Sequence, residues 1–198
     1  MPEFDFSSFP TLTTRRLILR ELVPGDAEDL FRFLGDPEVQ KYDVDPVMQE
    51  VAQATAWIDN FKKHFMNHQV ILWGICMKED SRLIGDIAFM FFEKCYYKTD
   101  LGYTLARPYW RQGIMTEAAL ALLHFGFETM GLHRINVDTR MDNIGSVRLM
   151  QKLGFKHEGT RRECIRNEDG SYQDWGLFGM LEDEYWSGKA EHQHLKEV

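Results

Sequence analysis

The sequence predicts an α/β fold, a single domain whose mixed, mostly antiparallel sheet of about seven strands is flanked by about four helices. Three observations support this class. The 198 residues, of which 44% are hydrophobic, suffice for one sizeable core. The hydrophobic pattern changes repeatedly between the strand period of two and the helix period of roughly 3.6. The chain has neither an internal repeat nor a linker-like segment.

The first half of the chain carries a strand and two helices, followed by three strands. RRLILREL alternates like a half-buried strand, and Pro24-Gly25 breaks it before Asp26 can cap a helix. In order, the predicted elements are a strand at 15–22, a helix from Asp26 to Leu34, an irregular loop at 35–46, a helix at about 50–66, and an antiparallel meander of strands at 70–77, 82–91 and 95–106.

The second half begins with a loop that leads into a helix. In YWRQGIMTEAALALLHFGFE (109–128) a basic residue and a glycine precede a helical pattern. Glycines are placed to end this helix and the next one. The predicted elements are a helix from about Met115 to Met130 ended by Gly131, a strand at 134–140, a helix at 144–154 closed by Gly154, and a terminal hairpin with its turn at Asp169-Gly170.

Charge and composition narrow the class of protein. The 31 acidic and 23 basic residues give a net charge of -8, which argues against a nucleic-acid partner because such proteins usually carry a basic face. No apolar run is long enough to cross a membrane and the N-terminus lacks signal-peptide features, so we expect a cytoplasmic protein with no membrane partner. The three cysteines lack metal-ligand spacing and indicate neither a disulfide framework nor a metal site.

The helix start near Gly113 suits an anion. The preceding strand, the loop with Arg111 and Gln112, and the helix bring unpaired amide N–H groups and the positive end of a helix dipole to one point. Gly113 lets the backbone approach a phosphate, and Arg111 can add a charge-assisted contact. Taken alone, these residues are more often an ordinary helix start, and the common glycine-rich nucleotide motifs are absent from the sequence.

Five stretches, in this order and spacing, carry a resemblance that covers about residues 11–186: TTRRLILREL, LIGDIAF, DLGYTLARPYWRQGIMTEAALALLHFGFETMGLHRI, DNIGSVRLMQKLGFKHEGTRRE and GSYQDWGLFGMLEDEYW. Together they resemble the GCN5-related N-acetyltransferase (GNAT) family, and within it the RimJ/RimL-like branch that acetylates protein N-termini and small amines. The resemblance implies a single GNAT domain, with an N-terminal extension at 1–10 and a polar tail at 187–198. It also implies acetyl-CoA as co-substrate and no metal.

The family binds acetyl-CoA with a loop of pattern Q/R-x-x-G-x-G/A, whose amides hold the diphosphate. On this chain Gly113 matches the central glycine. Trp110 stands where many members carry Gln or Arg, and Met115 replaces a small residue, which predicts a poorer fit at that point. Asn143 would bind the pantetheine or start a helix, and both readings stay open. The implied cofactor-binding residues are Leu105, Arg111, Gln112, Gly113, Ile114, Met115, Thr116, Asn143 and Ser146.

The resemblance also implies catalytic residues. Ser146 would donate a hydrogen bond to the departing CoA thiolate, because Met150 occupies the position where many relatives carry a tyrosine. The alternative for this serine is a helix N-cap. Asp100, then Asp138, then Glu163 are candidates to accept the amine proton, and for each the alternative is a solvated strand residue or an ion-pair partner.

The family forms its acceptor cleft where this chain has the acidic loop at 35–46 and the helix that carries Trp57. Asp43 and Asp45 could attract a cationic amine there, although a solvated loop is the commoner reading. His64 and His68 have the spacing of metal ligands, but two such histidines far more often lie at a solvent-exposed helix end without binding a metal.

The function that the resemblance implies is transfer of an acetyl group to a primary amine by direct attack, with a protein N-terminal α-amine as the first candidate. One alternative acceptor is a polyamine or an antibiotic amine. A second alternative is an acyl-CoA-binding sensor without turnover, which Met115 and Met150 leave open. An amine acceptor is the expected partner, and a homodimer is a candidate assembly.

Overall fold

A computed structural model describes residues 4–43, 45–93, 95, 97–167 and 170–188 and contains one eight-stranded sheet. The strands are β1 (Leu12–Thr13), β2 (Leu17–Arg20), β3 (Val70–Met77), β4 (Leu83–Glu93), β5 (Lys98–Leu105), β6 (Arg134–Arg140), β7 (Lys156–Arg166) and β8 (Tyr172–Leu181). Their order in the sheet is β1-β2-β3-β4-β5-β6-β8-β7. Only β5 and β6 pair in parallel; the other neighbours are antiparallel.

Helices cover both faces of this sheet. They are α1 (Ala27–Leu34), α2 (Pro37–Gln40), α3 (Val51–Met66), α4 (Ile114–His124), α5 (Ile144–Leu153) and α6 (182–188). A larger apolar cluster lies under α4 and α5, and a smaller one lies under α1 and α3. The alternation of side chains along each strand therefore decides which of the two faces a residue reaches.

The predicted α/β class with its mostly antiparallel sheet is confirmed, including the meander of β3, β4 and β5. Gly131 and Gly154 follow helical segments with φ of 65° and 85°, as helix-ending glycines should. One half of the predicted hairpin turn, Asp169, lies outside the described residues, and so does 189–198 of the predicted tail.

Four details differ from the prediction. Helix α6 (182–188) follows β8, where no helix was predicted. The two-residue strand β1 was not predicted and brings the number of strands to eight. The segment predicted as an irregular loop contains α2, because Pro37 fits a first helical position and the side chain of Asp36 accepts a hydrogen bond from the Glu38 amide at 3.0 Å. The helix predicted to reach Met130 is α-helical only to His124 and continues as a π-helical turn.

Candidate active site

The sheet opens into a wedge between β5 and β6. Their parallel register ends where Asp100 lies opposite Asn136. Beyond this point β5 stays paired with β4 as far as Leu105, and β6 stays paired with β8 as far as Arg140. The facing edges of the two strands therefore part, and the chain leaves them toward α4 on one side and α5 on the other.

The start of α4 lies at the mouth of this wedge. Arg111 and Gly113 both have left-handed backbone conformations, with φ of 59° and 72°, which is unusual for an arginine. The first amides of a helix have no intrahelical acceptor, and among the described residues no side chain caps those of α4. The side chains of Ile114, Met115 and Thr116 are buried, so that the turn presents its amides and not its side chains. Met115 in particular packs into the larger core cluster. The geometry suits a diphosphate.

Side chains within the loop hold its shape. Trp110 Nε1 donates to the Leu105 carbonyl at 2.6 Å, and Gln112 Nε2 donates to the Pro108 carbonyl at 2.6 Å. The side chain of Gln112 is thus engaged with the loop's own backbone. Arg111 is exposed beside it, where it can reach an anion at the helix start.

Arg16 and Glu117 tie this helix start to the first strands. The Glu117 carboxylate accepts hydrogen bonds from Thr14 Oγ1 at 2.5 Å and from Arg16 Nε at 2.7 Å. Burial raises the pKa of Glu117, but the bonds from Thr14 and Arg16 outweigh it and leave that pKa lowered. Arg16 Nη1 also donates to the Gln112 carbonyl at 3.0 Å. Neither residue was predicted to support the loop.

Ser146 lies on α5, on the other side of the wedge. Asn143 caps this helix, since its Oδ1 accepts a hydrogen bond from the Ser146 amide at 3.2 Å. Asn143 and not Ser146 is therefore the N-cap. The Ser146 hydroxyl oxygen lies 2.7 Å from the Tyr103 hydroxyl oxygen, and Ser146 is only 8% exposed. Tyr103 on β5 was not predicted. Met150, one turn along α5, is fully buried.

Asp100 and Tyr103 reach opposite faces of the sheet. Asp100 is in register with Met90, which packs in the smaller cluster under α1 and α3. Tyr103 packs instead against the larger cluster under α4 and α5. Asn136 Nδ2 donates to Asp100 Oδ1 at 2.8 Å, across the point where the two strands part.

Asp138 lies on the same face as Asp100, two residues after Asn136 on β6. Burial and the nearby charge of Asp100 raise the pKa of Asp138, while Arg161 and a hydrogen bond from Trp175 act to lower it. Arg161 Nη1 lies 3.5 Å from Asp138 Oδ2.

Glu163, the third predicted carboxylate, is not brought to the wedge. It lies on β7, two strands beyond β6 in the sheet. Its side chain is exposed, and its backbone has a left-handed φ of 51° in an irregular part of that strand.

The segment 36–43 spans both sides of the wedge on the face that carries Asp138. Asp36 pairs with Arg107, just after β5, at 3.2 Å. The Tyr42 ring lies 5.5 Å from the guanidinium of Arg140, at the end of β6. The predicted acidic loop therefore borders the face opposite Ser146.

A buried carboxylate lies within reach of the charge on this segment. Asp86 on β4 is 6% exposed, and its Oδ2 has no hydrogen-bond partner among the described residues. Burial and the charge of Asp43 raise the pKa of Asp86 well above its ordinary value of 3.8. The Asp45 amide donates to Asp43 Oδ1 at 3.3 Å, and burial raises the pKa of Asp45 as well. Asp86 was not predicted, although an isolated Asp in the apolar stretch LIGDIAF was a signal.

The remaining candidates have structural contacts. Trp57 packs against Phe61, with ring centroids 4.2 Å apart, in the smaller cluster. His64 Nδ1 lies 2.7 Å from Gln69 Oε1, and the His68 ring is stacked against another aromatic ring. Within the described ranges, no three His, Cys, Asp or Glu residues form a group that could hold a metal ion. None of the helices described there combines the length and apolar character needed to cross a membrane.

The wedge joins two kinds of chemistry. On one face, the amides at the start of α4 and the hydroxyl groups of Tyr103 and Ser146 suit an acyl thioester of CoA. On the other face, carboxylates suit a nucleophile that carries protons. A fold and site of this kind define an acyltransferase that uses acyl-CoA.

Comparison with known proteins identifies the family. The model of the acetyltransferase (GNAT) domain matches residues 16–156. The Bacillus subtilis (strain 168) protein called uncharacterized N-acetyltransferase YoaA is 32% identical over 173 residues, which cover 87% of this chain and 97% of that protein. The ribosomal protein uS5-alanine N-acetyltransferase of Escherichia coli (strain K12) is 25% identical over 190 residues, covering 90% and 94%.

A solved structure agrees with these relatives. The crystal structure of an acetyltransferase (GNAT family) from Bacillus anthracis matches with a TM-score of 0.78 and 25% identity, covering 88% of this chain and 99% of that one. The chain belongs to the GNAT acetyltransferase family. It is an N-acetyltransferase, an enzyme that transfers an acetyl group from acetyl-CoA to an amine.

Proposed function

We propose that this enzyme acetylates the α-amine of protein N-termini in the cytoplasm. The observation that carries the proposal is that both carboxylates at the wedge already have partners: Asp100 accepts a hydrogen bond from Asn136, and Asp138 lies beside Arg161. The similarity over most of both chains to an enzyme named for the alanine of ribosomal protein uS5 supports the same acceptor class.

The strength of the base matters because only a neutral amine can attack. An α-amine with a pKa of about 8 costs roughly 1.4 kcal/mol to deprotonate at about pH 7. A lysine-like amine with a pKa of about 10.4 costs roughly 4.6 kcal/mol. A carboxylate whose pKa is raised by burial, such as Asp138, suits the first acceptor far better than the second.

The residues that would hold the co-substrate lie on the side of α4 and α5. The amides of Gly113 to Thr116 and the side chain of Arg111 would bind the diphosphate. Leu105 and Asn143, at the two edges of the wedge, would contact the pantetheine. Gln112 would act by fixing the loop, through its bond to the Pro108 carbonyl. Bound there, acetyl-CoA supplies an activated acetyl group.

Different residues of the chain assist the attacking amine and the departing sulfur. Asp138, whose pKa is raised by burial and by the nearby charge of Asp100, accepts one proton from the acceptor amine, directly or through water. The amine nitrogen then forms the new bond to the carbonyl carbon as the C–S bond breaks. The electron pair leaves on sulfur, and the nitrogen releases its second proton to water, so that a neutral amide is formed. Ser146 donates a hydrogen bond to that sulfur. No acyl group is attached to the enzyme at any step.

A panel of amines tests the proposed acceptor. The panel contains a peptide with a free N-terminal alanine or serine, the same peptide with a blocked N-terminus and an internal lysine, and spermidine. We expect steady-state consumption of acetyl-CoA with the free peptide, and rates at or near background with the other two. Turnover of spermidine alone would replace the proposed acceptor with a small polyamine.

The proposal includes the setting of the enzyme. A protein N-terminus in the cytoplasm is a partner that fits a protein with a net charge of -8. Assembly as a homodimer remains a prediction, to be measured by sedimentation.

A further inference from the structure

Tyr103 is a polar residue at the wedge that has no role in the reaction described so far. It lies on β5, three residues beyond the point where this strand leaves β6. Its ring packs against the core cluster under α4 and α5, and its hydroxyl oxygen lies 2.7 Å from Ser146 Oγ. A contact between residues 43 positions apart joins the two walls of the wedge.

The helix cap leaves the Ser146 hydroxyl available for this contact. The Asn143 side chain already serves the Ser146 amide at 3.2 Å, so the hydroxyl has no capping role. With Ser146 92% shielded from solvent, water competes little for its single hydroxyl hydrogen. The direction of the hydrogen bond with Tyr103 therefore decides where that hydrogen points.

Two features favour the phenol as donor. A phenol is intrinsically more acidic than an aliphatic hydroxyl group, so it is the better hydrogen-bond donor of the pair. Burial raises the pKa of Tyr103 to about 12, although the bond to Ser146 acts to lower it, and the phenol therefore keeps its proton at neutral pH. Donation by Tyr103 leaves the hydrogen of Ser146 free for a second acceptor.

We propose that Tyr103 is a positioning residue: it donates to Ser146 Oγ and thereby turns the Ser146 O–H toward the sulfur of the acetyl donor. This inference rests on the proposed role of Ser146 in the acetyl transfer. Both hydrogen bonds strengthen as charge develops on sulfur, because a chain of hydrogen bonds polarises each of its members.

No proton is transferred along this chain. The sulfur leaves with the electron pair of the C–S bond, as a thiolate whose ordinary pKa is about 8.5. Its protonation by Tyr103 would be unfavourable because the pKa of the phenol is about 12. Tyr103 and Ser146 therefore remain protonated, and the thiolate takes its proton from solvent after release.

The ultraviolet absorbance of the thiolate in the CoA complex tests this inference without any acceptor amine. In wild type, the hydrogen bond from Ser146 should hold the thiol pKa of bound CoA below that of free CoA. Tyr103→Phe removes only the hydroxyl group, and we expect it to weaken thiolate stabilisation about 3- to 10-fold, the net value of roughly one hydrogen bond. Ser146→Ala should remove the stabilisation, and the double variant should match Ser146→Ala.

The matched control is Tyr172→Phe, since Tyr172 is exposed on the terminal hairpin, and it should titrate like wild type. An unchanged thiol pKa in Tyr103→Phe overturns the inference. Additive effects in the double variant also overturn it, because Tyr103 would then act independently of Ser146. Failure of the proposed acceptor appears separately, as an absence of peptide acetylation in an enzyme whose bound CoA still titrates as expected.

Discussion

Replacement of Ser146 by alanine removes the proposed hydrogen bond to the departing sulfur and little else. The amide of residue 146 keeps its bond to Asn143 Oδ1, so the start of α5 stays capped. Alanine is also the better helix former. The lost contact with Tyr103 costs about 1 kcal/mol of folding free energy, and the variant should fold.

The catalytic loss should exceed the structural one. A hydrogen bond to a charged partner contributes roughly 1.5–3 kcal/mol. Its removal from the transition state lowers kcat about 10- to 150-fold. The KM for acetyl-CoA should change little, because a neutral thioester sulfur is a poor acceptor and the bond forms mainly as charge develops.

The assay is the steady-state release of CoA thiol at saturating acetyl-CoA, with single-turnover measurements to establish that chemistry limits the rate. Ser187→Ala is the control, because that exposed serine bonds only within α6, through the Asp183 carbonyl, among its described contacts. It should retain wild-type kcat. An unchanged kcat in Ser146→Ala would remove this serine from the mechanism.

Two further substitutions test the loop and the buried carboxylate. Arg111→Ala removes the guanidinium but keeps a Cβ at that position, and it should weaken CoA binding about 5-fold by calorimetry. Arg82→Ala is the control. Equal CoA affinities of Arg111→Ala and wild type would show that the amides alone suffice. The raised pKa of Asp86 means that the folded state keeps a proton that the unfolded chain releases. Its contribution to stability is therefore full below about pH 4 and lost as the pH rises through the folded pKa, by up to about 1.4 kcal/mol per pH unit. Between about pH 5 and pH 8 the Tm of wild type and of the exposed control Asp59→Asn should fall more than that of Asp86→Asn, and parallel curves would contradict the assignment.

Local patterns predicted the elements that position the site. The apolar runs of β3 to β5, and the glycines that end the helical segments of α4 and α5, depend on near neighbours in the chain, and the structure has these elements where the apolar runs and the glycines indicated. The short α2 was not predicted because a proline usually interrupts a helix, whereas Pro37 stands at the first helical position, where proline fits.

Long-range partners could not be predicted in the same way. Ser146 and Asn143 were both candidates for a cap, and only the positions of their oxygens distinguish them. The contact of Tyr103 with Ser146 depends on the parting of β5 and β6, which follows from strand pairing and not from any local pattern. The burial of Asp86 likewise depends on strands that pair from distant parts of the chain.

The most direct test of the central claim is the location of the acetyl group on one peptide that carries both a free N-terminal alanine and an internal lysine. Fragmentation mass spectrometry after reaction with acetyl-CoA distinguishes the two amines. The carboxylates at the wedge and the cost of deprotonation predict a mass shift on the α-amine alone. A shift on the lysine ε-amine would contradict the proposed acceptor.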